Sequence, residues 1–210
     1  MLRRLLVTVS LVVLAVAWAI GELDPPRELG AQREGAQNEQ HEGPLRRNEP
    51  QPSTPEYDRS AWPHWIDADG DCQNTRHELL IRESLEPVSY KERRPCKVSG
   101  GLWRDAYSGE LIESPDKLDV DHLVPLAEAH RSGGFAWPAS KRRAFANDMA
   151  GLVLTRRTLN QSKGDQDPAH WMPPKPELRC DYARRWIAIK ERWALERDAL
   201  ENAALADACR

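Results

Sequence analysis

At 210 residues the chain is long enough for one domain and appendages. Acidic residues outnumber basic ones, 33 against 30, for a formal net charge of −3. That balance excludes a protein that holds polyanions by bulk charge, so any phosphate-binding surface has to be a local patch.

The N-terminus carries a targeting pattern. Arg3 and Arg4 precede an apolar run from Leu5 to Ile20, and Ala17-Trp18-Ala19 fits the small-x-small cleavage rule. The run is shorter than the roughly 20 apolar residues that span a bilayer comfortably. Residues 1–19 are therefore expected to be a signal peptide and the rest to be exported, with no stable membrane association after cleavage. An uncleaved segment would tether the domain on the extracytoplasmic side. Residues 20–61 are rich in Glu, Gln, Arg and Pro and nearly empty of aliphatic side chains. Such a stretch cannot offset the entropy of ordering and is expected to be a disordered linker. The folded domain is expected over residues 62–210.

Export gives the cysteines an oxidising compartment. Cys72, Cys96, Cys180 and Cys209 contain no C-x-x-C pair, which argues for two disulfides rather than a zinc ribbon. Three connectivities are open. The favoured one is Cys72–Cys96 with Cys180–Cys209.

The domain opens on D-A-D-G-D, Asp67 to Asp71. An Asp/Gly turn capping the next helix is the simpler reading. A calcium loop of the EF-hand kind would need its Gly later. A helix is expected from Asn74 to Leu85, ended by Pro87. Arg76 on it could hold a phosphate or pair with a carboxylate inside the fold. Lys97 to Gly109 reads as one hairpin, with Trp103 and Tyr107 as core residues.

The chemistry-bearing stretch follows. Leu118 to Val124 reads as a strand stopped by Pro125, Gly151 to Thr155 as a second strand, and Arg157 to Lys163 as two turns of helix ended by Gly164. Asp121 and His122 are adjacent at the end of the first strand, and Asn160 lies on the helix. Between the strands, Gly133-Gly134 breaks the chain and Pro138 starts a helix. Lys141, Arg142 and Arg143 form a basic group there, which Arg156, Arg157 and Lys163 extend in sequence. His130 and His170 lie nearby without a matching role, and His41 falls in the linker. Two helices, Asp181 to Trp193 and Leu195 to Ala208, close the chain. Trp186, Ile189 and Trp193 form one apolar stripe. Cysteines before the first helix and at the end of the second would be brought together by an antiparallel hairpin.

The elements D-V-D-H-L-V-P, V-L-T-R and L-N-Q-S-K-G-D resemble the HNH nucleases of the ββα-metal superfamily. A closer resemblance is to secreted bacterial HNH-family proteins. In those, D-A-D-G-D, T-R-x-E-x-L, W-x-D-x-Y-S-G, D-V-D-H-x-V-P-L-A-E-A, N-x-S-K-G-D-x-D-P and C-x-Y-A-x-x-W recur in order, as they do here from Asp67 to Cys209. The resemblance implies an α+β fold: a small ββα-metal core with flanking helices and a C-terminal helical hairpin. It also implies a divalent-metal-dependent endonuclease that attacks with water and leaves a 5′-phosphate and a 3′-hydroxyl.

By the same resemblance His122 is the general base and Asp121 and Asn160 are the metal ligands. The metal is expected to be Mg2+, with Mn2+, Ni2+ or Zn2+ accepted. Arg76, Lys141, Arg142, Arg143, Arg156, Arg157 and Lys163 are the candidates for phosphate contact. DNA is favoured over RNA, with little sequence preference, and a monomer is expected. One departure stands out. Gly151 occupies the place where the family carries its middle Asn, which braces the loop bearing the catalytic His. The rival reading is a secreted, non-catalytic binding or cell-surface module that keeps the scaffold.

These residue types suit phosphodiester hydrolysis. The substrate's negative charge repels nucleophiles, so a water must lose its proton while positive charge gathers on the phosphate. Histidine titrates near neutrality and can take the proton. Oxygen ligands suit a hard cation.

Overall fold

The computed structural model describes residues 54–210. The expected signal peptide, His41 and most of the expected linker lie outside them. In chain order the elements are α1 (Thr75–Glu83), β1 (Ser89–Tyr90), β2 (Val98–Gly100), β3 (Trp103–Arg104), β4 (Leu111–Ile112) and β5 (Leu118–His122). Then come α2 (Leu126–Arg131), α3 (Ala139–Ala146), β6 (Leu152–Arg156), α4 (Arg157–Lys163), α5 (Pro176–Trp193) and α6 (Ala199–Asp207). Helices mix with three two-stranded antiparallel ladders, β1–β2, β3–β4 and β5–β6, so the domain is α+β.

The β5–β6 ladder is the centre. Val120 lies opposite Leu154 and Asp121 opposite Val153. Because strand side chains alternate, the ladder feeds two cores. Leu118, Val120, Leu152 and Leu154 pack with Leu79 and Leu80 of α1 and with Trp103. On the other face Val153 joins Tyr182, Trp186 and Ile189 of α5, together with Trp62 and Phe145. Apolar packing on both faces explains why β6 reads as a near-continuous apolar run, whereas β5 alternates apolar residues with Asp119 and Asp121. Each fully buried aliphatic side chain contributes about 1.5–3 kcal/mol. β6 runs directly into α4, and Gly164 ends that helix at φ 57°, a left-handed value that favours glycine.

Several boundaries differ from the sequence reading. Lys97 to Gly109 is not one hairpin. β2 turns back onto β1, while β3 pairs with β4 beyond the turn. α5 starts at Pro176, so Cys180 sits inside its first turns rather than before it. Ala194, at φ 53°, ends α5, and α6 starts only after the Asp198 cap. The disulfides are nevertheless Cys72–Cys96 and Cys180–Cys209, as favoured.

Residues 54–61 are packed onto the domain rather than belonging to a linker. Tyr57 packs on the main core. His130 Nε2 donates to the Pro55 carbonyl at 2.7 Å, and Arg142 Nε donates to that of Ala61 at 3.1 Å. Backbone carbonyls do the anchoring, which composition does not reveal. Among the described residues no helix is long and apolar enough to cross a membrane.

Candidate active site

Asp121, His122 and Asn160 line one cavity of about 380 Å³. β5 supplies the first two from opposite faces of its last two residues. α4 supplies the third. Asn160 and Lys163 are three residues apart and share the side of α4 that faces β5. Asn160 Nδ2 donates to Asp119 Oδ2 at 3.2 Å, and Lys163 Nζ donates to the His122 carbonyl at 2.9 Å.

The imidazole of His122 is buried and has one fixed partner. Its Nε2 lies 2.8 Å from the Ala146 carbonyl oxygen. A carbonyl can only accept, so Nε2 carries the proton and Nδ1 keeps a lone pair. No group among the described residues bonds Nδ1, and Nδ1 is not sealed from the cavity. The ring stacks on Trp65 at 5.4 Å. Burial holds its pKa down to about 3, against the raising effect of the Ala146 hydrogen bond and with smaller help from His64, Lys163 and Arg59. The ring is therefore neutral at neutral pH.

Asp121 is half used in the same sense. Its Oδ2 accepts from Tyr107 Oη at 2.6 Å and from Lys163 Nζ at 2.8 Å. Its Oδ1 has no hydrogen-bond partner among the described residues. Tyr107 is aimed by a buried carboxylate. Asp105 Oδ1 accepts from the Tyr107 backbone N–H and from Thr155 Oγ1, both at 2.8 Å, tying the loop to β6. Burial, then the Asp121 charge, raises the Tyr107 pKa well above its usual value, so the phenol stays a donor. Asn160, donating through Nδ2, keeps its own Oδ1 free. Asp121, His122 and Asn160, each with one polar side-chain atom unpartnered among the described residues, thus line a single cavity. The oxygens fit a hard divalent cation, and the nitrogen can take a proton.

The brace behind His122 is not at position 151. The Gly151 carbonyl accepts from the Leu123 N–H at 2.8 Å, a contact that needs no side chain. The bracing amide is Asn147. Its Oδ1 accepts from Thr75 Oγ1 at 2.8 Å and from the Ile66 N–H at 3.3 Å. Its Nδ2 donates to the Pro63 and Arg143 carbonyls, each at 2.8 Å. This fixes the end of α3 and with it the Ala146 carbonyl. The sequence reading looked just before the second strand and passed over Asn147, the residue that follows α3.

The expected basic patch is mostly spent inside the fold. Lys163 is fully buried on Asp121. Arg76 donates to the Pro115 and Leu118 carbonyls at 2.9 Å each, and the burial behind those bonds lowers its pKa. Arg142 donates to the Ala61 and Trp137 carbonyls, and Lys141 lies 4.2 Å over the Trp137 ring. Arg156 pairs with Glu110, and Arg157 approaches Asp119 at 3.5 Å. Arg143 is exposed and its side chain has no bonded partner among the described residues. His130 anchors Pro55, and His170 is exposed beside Asp167. Asp67, Asp69 and Asp71 form an exposed acidic cluster ahead of α1, which Asn74 caps through the His77 N–H.

Residues 74–208 match the family described as "GmrSD restriction endonucleases, C-terminal domain". A protein of Arthroderma benhamiae, described as an uncharacterized secreted protein, is 36% identical over 151 residues, covering 71% of this chain and 72% of that one. The relative is fungal, so the bacterial part of the expected resemblance is not supported. No solved structure matches the chain. The chain belongs to the family of GmrSD restriction endonuclease C-terminal domains.

Proposed function

We propose that this is an exported, divalent-metal-dependent endonuclease of the HNH type, which hydrolyses DNA phosphodiester bonds with little sequence preference. The observation that carries it is the set of three unpartnered lone pairs, on His122 Nδ1, Asp121 Oδ1 and Asn160 Oδ1, around one cavity. His122 Nδ1 takes a proton from water. The water oxygen then bonds to phosphorus, the bond from phosphorus to the 3′-oxygen breaks, and that oxygen gains a proton from solvent. Asp121 and Asn160 would hold a divalent cation, which supplies positive charge to the phosphate and the leaving oxygen. Lys163 and Tyr107 hold Asp121 through its Oδ2 and leave its Oδ1 unpartnered among the described residues. Arg143 and Arg157 remain exposed and available to the DNA backbone. Two disulfides and the secreted relative support export.

A non-catalytic module would have no use for an imidazole lone pair held open in a buried setting. Incubating the protein with supercoiled plasmid and Mg2+, Mn2+, Ni2+ or Zn2+ tests the reading. Nicked circles with 5′-phosphate ends are expected. Intact plasmid with all four ions would overturn it.

A further inference from the structure

The same cavity has a wall that the family match does not cover. Tyr57 and Arg59 line it, and both precede residue 74, where the match begins. Arg59 is the one cation among the described lining residues. The lining carboxylates are Asp121 and Asp165, and Asp165 already pairs with Arg131 at 2.8 Å. Lys163 is fully buried on Asp121 and cannot reach a substrate. A phosphodiester entering this space would therefore find a proton acceptor, oxygen ligands and, among the described lining residues, the Arg59 guanidinium.

Arg59 is held, but it is not neutralised. Its Nη2 lies 3.3 Å from His64 Nε2, and His64 Nδ1 lies 2.8 Å from the Trp62 carbonyl oxygen. The carbonyl must accept, so His64 Nδ1 carries the proton and Nε2 accepts from Arg59. The guanidinium is thus steered by a ring anchored on backbone. The Tyr57 hydroxyl is its other polar neighbour, and no carboxylate among the described residues forms an ion pair with it. The turn that carries it is fixed as well. Asp58 caps it through the Ser60 N–H at 2.8 Å, and Trp62 just beyond is buried in the main core.

We propose that Arg59 grips the phosphate in this cavity and that His64 positions its guanidinium. The inference rests on the nuclease reading for what the grip serves, but the grip itself can be measured without cleavage. A guanidinium fork matches two phosphate oxygens at once and carries the charge that a phosphodiester needs balanced.

The test measures binding of a short DNA duplex with Mn2+ present, in full-length His122→Ala protein with and without Arg59→Ala. Arg59→Ala is expected to weaken binding about 10- to 100-fold and to lower the salt slope by about one phosphate contact. Arg59→Lys, which keeps the charge and loses the fork, should recover part of the affinity and restore the slope. In the otherwise wild-type protein, Arg59→Ala should lower kcat/KM for nicking by roughly 100- to 1,000-fold while leaving Mn2+ affinity unchanged. Unchanged DNA binding and salt slope in Arg59→Ala would overturn the proposal. Arg59-dependent binding by a protein that never nicks would uphold the grip and overturn the catalytic reading.

Discussion

Two buried lysines invite comparison. Lys163 and Lys190 are both fully enclosed, and both neutralise carboxylates. Lys190 Nζ faces Glu128 Oε1 at 2.7 Å, Glu201 Oε2 at 2.8 Å, Ser132 Oγ at 2.9 Å and the Glu196 carbonyl at 2.8 Å. Around it every carboxylate oxygen is used. Glu201 Oε1 accepts from Trp186 Nε1, Glu128 Oε1 also accepts from Ser132, and Glu128 Oε2 pairs with Arg131 at 3.1 Å. At Lys163 the arrangement stops halfway: both donors converge on Asp121 Oδ2 and Oδ1 is left open. A satisfied network can only hold the fold together, whereas an open lone pair in a cavity can still bind something. The chemistry differs although the residue types match.

The comparison is broken most sharply by removing each centre's key group. His122→Ala should lower nicking by about 100- to 10,000-fold while Mn2+ affinity changes little. Near-wild-type rates at saturating metal would show that the base has been misassigned. Lys190→Met should do the reverse. It leaves the buried Glu201 without a cation and Glu128 with only Arg131, and should cost about 3–5 kcal/mol of stability in denaturant titration. In the fraction still folded, nicking should be retained. A stable Lys190→Met protein would show that the second network is not structural.

A pH titration sharpens the contrast on the functional side. The unfolded chain protonates His122 near its usual 6.5, but the folded chain resists until about 3. Between those values the unfolded state binds more protons, so stability falls as pH falls, by up to about 1.4 kcal/mol per pH unit from this group. Comparing the wild type with His122→Asn isolates that slope from the titrating carboxylates. Equal slopes would contradict the neutral, buried imidazole. The smallest effect is expected for Tyr107→Phe, which removes one of the two bonds to Asp121 Oδ2. It should cost about 1–2 kcal/mol in stability and leave Asp121 held by Lys163. A loss of Mn2+ binding as complete as that in Asp121→Ala would show that Tyr107 does more than orient.

Much of the site is legible in the sequence because strand period, helix length and motif are local. Asp121 and His122 at a strand end, Asn160 on a short helix and the Gly164 stop all follow from spacing. What escapes is what the rest of the chain does to those residues. Lys163 and Arg142 look like free cations in a basic run. Only the packed structure turns them onto Asp121 and onto the Ala61 and Trp137 carbonyls. Asn147 looks like an ordinary residue between a helix and a strand, because its four partners are spread from Pro63 to Arg143. Arg59 and His64 fall at the edge of a polar, aliphatic-poor stretch, where composition argues for disorder. Tertiary anchoring through backbone carbonyls decides otherwise. The C-terminal disulfide joins the two cysteines that an antiparallel hairpin predicts, although Cys180 lies inside α5 rather than before it.

The central claim is that Asp121 Oδ1, Asn160 Oδ1 and His122 Nδ1 are left open for one shared purpose. The most direct measurement is a crystal soaked in Mn2+ and examined by anomalous diffraction. The account predicts a peak bonded to Asp121 Oδ1 and Asn160 Oδ1, with His122 Nδ1 facing the ion's water and Lys163 still on Oδ2. A cavity without a peak at saturating Mn2+, its three lone pairs closed by internal hydrogen bonds or the ion instead on Asp67, Asp69 and Asp71, would contradict it.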